Sequence, residues 1–206
     1  RAVELLLQYK AALEQGLSAR TVELEKEDRK LVADLNLLTD KPVLYVCNVD
    51  EKSAATGNVY TEAVRAAIAG EKAEMLVIAA ATEADIAELE SYEERQMFLE
   101  DLRLEESGVA RLIKSAYKLL NLETFFTTGA DETRAWTYSR GMKAPQTAGI
   151  IHTDFEKGFI RAEVIKYDDY VTLGSEKACR DAGKIGIEGK EYVVQDGDIM
   201  HFLFNV

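Results

Sequence analysis

Hydrophobic positions follow two rhythms along this chain, a helical one first and a strand-like one later. From Ala2 to Gln15 the residues Leu6, Tyr9 and Leu13 recur at helical spacing, and Gly16 is placed to end the helix. A polar bend through Ser18 and Arg20 leads to Thr21, then to a charged segment whose Leu31, Leu35 and Leu38 form a second apolar stripe. The pair predicts an antiparallel helical hairpin, serving either as a protruding arm for a partner or as ordinary packing against neighbouring structure. Pro42 breaks the helical pattern. Val43–Cys47 and Met75–Ala80 are then continuous apolar runs of strand length, the signature of strands buried on both faces of a parallel sheet. Val59–Ala69 between them reads as a helix ended by Gly70, and Glu83–Leu120 is helix-rich. Strand, helix, strand, helix is the order of an α/β layer.

Beyond Leu122 the texture changes. Short strands are expected at Thr124–Thr128, Arg134–Tyr138, Ile160–Ile165, Glu191–Val194 and Met200–Phe204, with helical segments at Gln146–Phe155 and Ser175–Ala182. These predict a small mixed domain with a curved sheet around a helix. No internal repeat or low-complexity tract interrupts the chain.

Composition narrows the function. The 206 residues are 47% apolar and carry a net charge of −12, which indicates globular packing and argues against broad nonspecific binding to nucleic acid. Dividing the chain at residue 119 leaves −8 and −4, so RNA contact would require a local patch. Cys47 and Cys179 are far apart and have no C-x-x-C partner, which suggests neither a disulfide framework nor zinc and fits a reducing cytoplasm. The longest apolar run, Met75–Ala81, is far short of the roughly 20 residues of a membrane span.

The candidate chemistry lies where strands end. Ligands of open α/β sheets sit outside the carboxyl ends of the strands, so Asn48-Val49-Asp50-Glu51 and Ala79-Ala80-Ala81, each following a strand, could together hold a base. A polar cluster merely closing a strand is the other reading. Guanine is usually selected by N-K-x-D, whose aspartate accepts from the ring N–H and the exocyclic amine. Here Val49 stands for the lysine and Glu51 for the aspartate, which argues against strict guanine selection. No G-x-x-x-x-G-K-[ST] run is present to cradle phosphates. That asymmetry suggests the rear part of a longer nucleotide-binding protein. His152 and His201 lack metal-ligand spacing, and no serine or cysteine is tied to either of them; His152 reads as structural or capping. Asp196-Gly197-Asp198 reads as a tight turn before the last strand.

Four segments carry a family resemblance: Asn48–Glu51, Thr124–Gly129, Glu132–Trp136 and Ala148–Glu163. They resemble the YchF family of Obg-related P-loop NTPases, most specifically from Phe125 onward. The resemblance implies that residues 1–38 are the end of a helical coiled-coil insert, and 39–121 the C-terminal half of the nucleotide-binding domain. Residues 122–206 would then be a TGS domain of the ubiquitin-like β-grasp type. It also implies base reading by Asn48 and Glu51 through N-x-x-E, with Val49, Ala79, Ala80 and Ala81 around the base. ATP would be preferred and GTP weaker, with Mg2+ in the full-length parent only and the ribosome as partner. Hydrolysis would need the phosphate loop, its lysine and its magnesium-binding Ser/Thr, so no catalytic or metal residue is expected in this chain. The alternative is a stand-alone TGS and helical module that binds ribosomes or RNA–protein assemblies without nucleotide.

Overall fold

The computed structural model describes residues 1–71, 73–129 and 132–205. It divides into two compact units, Arg1–Leu119 and Leu120–Val206.

The first unit opens with helix α1 (Ala2–Glu14), whose Leu5 and Tyr9 face inward. Its end is a glycine-dependent cap: Gly16 has φ +73, and the Gly16 and Leu17 amides donate back to Leu13 and Ala12. The second helix, α2 (Lys26–Val32), is only seven residues long. Leu31, Leu35 and Leu38, expected to form its inner stripe, are all exposed. The chain tightens into a 3-10 turn at Ala33–Leu35 and then leaves helical space at Asn36, φ +47, so the 3.6-residue spacing that would align them is lost. Val32 packs against Leu5, Tyr9 and Ala19 instead, with half-buried Val22, Leu24 and Leu37 closing the cluster.

Strands β1 (Leu44–Asn48) and β2 (Glu74–Ile78) pair in parallel, from Leu44 opposite Glu74 to Asn48 opposite Ile78. Helix α3 (Val59–Ala67) connects them. Asn58 and Thr61 start it with a reciprocal capping box. The helix-rich stretch resolves into α4 (Ala80–Glu88), α5 (Tyr92–Asp101) and α6 (Gly108–Leu119). Ser91 and Glu94 cap α5 in the same reciprocal way. Glu83 of α4 accepts from the Gly108 and Val109 amides at 2.6 and 3.0 Å, placing a carboxylate on the positive end of α6. Arg111 of α6 donates to the Val77 carbonyl of β2 at 2.8 Å, which ties that helix to the strand edge.

The second unit holds β3 (Leu122–Thr128), β4 (Thr133–Ser139), β5 (Phe159–Ile165), β6 (Ile185–Glu188) and β7 (Ile199–Phe204) in the order β4-β3-β7-β5-β6. The β3–β7 pairing is parallel and the others are antiparallel. Successive strand residues face opposite ways. Phe125, Tyr138, Val164, Met200 and Phe202 meet Ala144 and Ala148 of α7 (Ala144–Ile151), while Phe126, Ile165 and Ile199 gather around Cys179 and Tyr170. Those last two come from α10 (Glu176–Asp181) and α9 (Tyr167–Leu173), of which α9 carried no signal in the sequence pattern.

Two expectations for this unit need correction. Glu191–Val194 is not a strand; it makes one isolated bridge, Val193 to Lys143, because its backbone pairs with the entrance of α7 rather than with another strand. The fifth strand is β6 instead. The single helix expected over Gln146–Phe155 is two, α7 and α8 (Thr153–Lys157), broken at His152 in extended conformation. The His152 Nδ1 accepts from the Asp154 amide at 3.2 Å, which is the capping role.

Candidate functional site

Parallel pairing in register brings the ends of β1 and β2 side by side, so the segments that follow them are neighbours. Asn48 stitches them together. Its Oδ1 accepts from the Ala80 amide at 3.0 Å, at the first residue of α4, and the Val49 amide donates to the Ile78 carbonyl at 2.9 Å. Asn48 thereby satisfies one of the orphan amides of a helix N-terminus. Its amide nitrogen keeps two donors, which suit the ring N7 that adenine and guanine share.

The remaining sequence-derived residues separate by burial. Val49 is half-buried and Ala79 is buried, whereas Ala80, Ala81 and Glu51 are exposed. Asp50 caps the short 3-10 turn that begins at Glu51, its Oδ1 accepting from the Ser53 amide at 2.9 Å. The Glu51 carboxylate has no hydrogen-bond or ion-pair partner among the described residues. The Asp has a local structural task while the Glu is left presented to solvent, a division that the motif alone does not reveal.

A cleft of about 320 Å³ adjoins Asn48 and Val49, lined also by Cys47, Asn58, Tyr60, Thr61 and Val64. Glu51 and Ala79–Ala81 lie outside its lining. The structure thus brings Asn48 to both the α4 start and the α3 side, but does not gather all six residues around one cavity. Asn58 and Tyr60 were missed as lining residues. Their signal was the Gly57-Asn58 pair just before a helix, which marks where α3 returns to the end of β1.

Among the described residues no cluster of three or more His, Cys, Asp or Glu could hold a metal ion. No described helix is long and apolar enough to cross a membrane. Asp198 of the Asp-Gly-Asp turn is fully buried and accepts from Lys166 Nζ (2.6 Å), Tyr192 Oη (2.6 Å) and the Gln195 amide (3.0 Å). This network is structural: every partner is internal, and Gly197, φ +82, supplies the left-handed turn.

Comparison with known proteins follows the same lines. Residues 122–205 match the family model YchF-GTPase_C, Protein of unknown function (DUF933). The Ribosome-binding ATPase YchF of Bacillus subtilis (strain 168) is 54% identical over 205 residues, covering 98% of this chain and 56% of that protein. A solved structure of the Schizosaccharomyces pombe YchF GTPase aligns with a TM-score of 0.83 at 35% identity, covering 98% of this chain and 53% of that one. A GTP binding protein from Pyrococcus horikoshii OT3 aligns at TM-score 0.57 and 18% identity, a likeness of fold alone. The resemblance to YchF carried by the sequence motifs therefore extends over nearly the whole chain. The chain spans a little over half the length of the curated relatives it matches.

Proposed function

We propose that this chain, related to YchF over nearly its full length, carries the base-selecting segment and the C-terminal domain of an ATP-preferring, Obg-related P-loop NTPase that docks to ribosomes. On this reading residues 1–38 end a helical insert, 39–121 form the rear of the nucleotide domain, and 122–206 form a β-grasp TGS domain. The observation that carries it is the Asn48 to Ala80 hydrogen bond, which holds the two strand-end segments together while Glu51 stays free to meet a base. The names of the relatives, a ribosome-binding ATPase and a YchF GTPase, support the nucleotide and the partner.

The chemistry follows from the base edges. Asn48 offers donors to N7 of either purine, so selection falls to Glu51 and the small residues Ala79, Ala80 and Ala81. Adenine presents an exocyclic amine that a carboxylate can accept from, and guanine presents an acceptor oxygen at the same position. A mismatched buried polar group costs about 1–3 kcal/mol, or about 10- to 100-fold in preference. Phosphate cradling and the magnesium ion require residues this chain does not contain.

The test is competition between ATP and GTP in the complete protein with Glu51→Asp. The shorter carboxylate of an N-x-x-D loop should shift preference toward GTP by about tenfold. An unchanged ratio, with the Asn48-dependent fold intact, would remove Glu51 from base selection and leave the nucleotide-free binding module as the reading.

A further inference from the structure

The negative charge of this chain is concentrated. Residues 83–106 contain ten carboxylates against two arginines, a net −8 of the chain total of −12. One of those arginines, the exposed Arg95, is held by its own helix entrance, its guanidinium donating to the Leu89 carbonyl at 2.9 and 2.7 Å.

Within this segment α4, α5 and the start of α6 enclose an open groove of about 480 Å³. Ile86, Leu99 and Ala110 line its apolar interior, with Ile86 and Leu99 buried. Tyr92 and Val109 line it too, yet are 70% and 49% exposed, so sizeable apolar surface faces solvent. The charged lining is three carboxylates, Glu83, Glu105 and Glu106, against one cation, Arg95, so the rim is acidic on balance. Glu106 pairs with Lys114, while exposed Glu105 has no ion-pair partner among the described residues.

We propose that this groove docks a basic amphipathic helix of another protein, its apolar side chains entering beside Tyr92 and Val109 and its cations meeting the acidic rim. A three-helix groove with an apolar floor is suited to a helix presenting anchors at i, i+3, i+4 and i+7. Charge complementarity selects the occupant. Nucleic acid is repelled by the same field, and a second copy of this chain would bring like charge against like charge.

The probe is a fluorescein-labelled lysine- and leucine-rich helix of about 14 residues, followed by anisotropy with the full 206-residue chain. A scrambled peptide of identical composition serves as the control. The amphipathic order should bind about tenfold more tightly than the scramble, and Glu105→Lys and Tyr92→Ala should each weaken it about fivefold or more. Both positions are solvent-facing, so the thermal transitions should not move. Raising NaCl from about 50 to about 300 mM should weaken binding without abolishing it, because the apolar anchors are not screened. Equal affinity for the scramble, or indifference to both substitutions in folded protein, would reduce the effect to adsorption on an acidic surface and overturn the proposal. A Tyr92-dependent dimer in sedimentation, or Tyr92-dependent binding of a labelled RNA 20-mer, would overturn it as well.

Discussion

Replacing Asp198 with Asn tests how the second unit is held together. The side chain is fully buried and accepts three hydrogen bonds, from Lys166, Tyr192 and the Gln195 amide. Asparagine keeps the volume but removes the charge and turns one acceptor into a donor facing groups that are themselves donors. Charge-assisted hydrogen bonds contribute about 1.5–3 kcal/mol each. The Lys166 side chain is 49% exposed and can turn to water, which discounts its share. The net loss is about 2–3 kcal/mol, or roughly 10–20 °C in the transition of a domain this size. Trp136 is the only tryptophan and lies half-buried against this unit's core, with Nε1 bonded to Thr127, so its fluorescence during urea unfolding reports on this unit alone. Asp196→Ala in the same turn is the control. Exposed Asp196 accepts one bond, from the Thr124 amide, and its loss should cost about 1 kcal/mol. A loss below about 0.5 kcal/mol for Asp198→Asn would refute the reasoning, because the buried carboxylate would then be no anchor. The network also has a pH signature. Burial lowers the Lys166 pKa, but hydrogen bonds to Asp198 and Tyr192 outweigh it and leave it raised; burial and Asp198 raise that of Tyr192. Groups with raised folded pKa values stabilise below their ordinary range, so the contribution should fade as pH climbs through about 10 and beyond. Asp198→Asn should remove the Lys166 part of that alkaline decline and leave the part that burial gives Tyr192.

Gly158→Ala should destabilise the second unit by about 1–3 kcal/mol in the same fluorescence assay, since an added Cβ would sit 2.0 Å from the Asn205 carbonyl oxygen. An unchanged midpoint would mean that the β7 end yields freely. Glu83→Ala should uncap α6 and cost the first unit about 1–2 kcal/mol, seen as faster hydrogen exchange at Gly108 and Val109; unaltered protection there would count against the interhelix cap. A hydrogen bond from Arg20 lowers the Glu71 pKa, against a smaller opposing burial effect and with help from Tyr45. A depressed carboxyl pKa stabilises above the ordinary glutamate range and loses that effect as pH falls through the folded value. Glu71→Gln should therefore flatten the acid limb of the first unit's stability, and an identical limb in both proteins would exclude this pair as its source.

Much of the fold was legible because it is local. Val43–Cys47 and Met75–Ala80 read as strands from apolar run length, and β1 and β2 occupy them to within two residues. The expected burial on both faces fails for β1, which has no buried residue and leaves Val46 48% exposed because β2 is its one strand partner among the described residues. Gly16 read as a helix stop because only a residue tolerant of positive φ closes that cap. The errors share a cause. Leu31, Leu35 and Leu38 share a stripe only if one helix runs through them, and the left-handed turn at Asn36 prevents that. Glu191–Val194 has strand-like composition, but its backbone partners are Met142 and Ala144 beside α7, a pairing that no local pattern reports. At the candidate site, Asn48 and Glu51 were visible as residues at a strand end. That Asn48 holds the Ala80 amide, 32 positions away, was not.

By itself, the sequence determined the strand-helix-strand-helix order and α/β character of the first unit, the bounds of α1, α3 and α10, four of the five strands of the second unit, and which carboxylates and amides stand at strand ends. These follow from short-range sterics, capping and hydrophobic periodicity, each acting within a few residues. Only the tertiary structure decided the strand order β4-β3-β7-β5-β6, the use of Glu83 to cap a helix 25 residues away, and the difference between Asp196 and Asp198. Two aspartates of one turn look alike along the chain. One is left near solvent and the other is sealed among Lys166 and Tyr192, because burial and pairing depend on what the rest of the chain brings alongside.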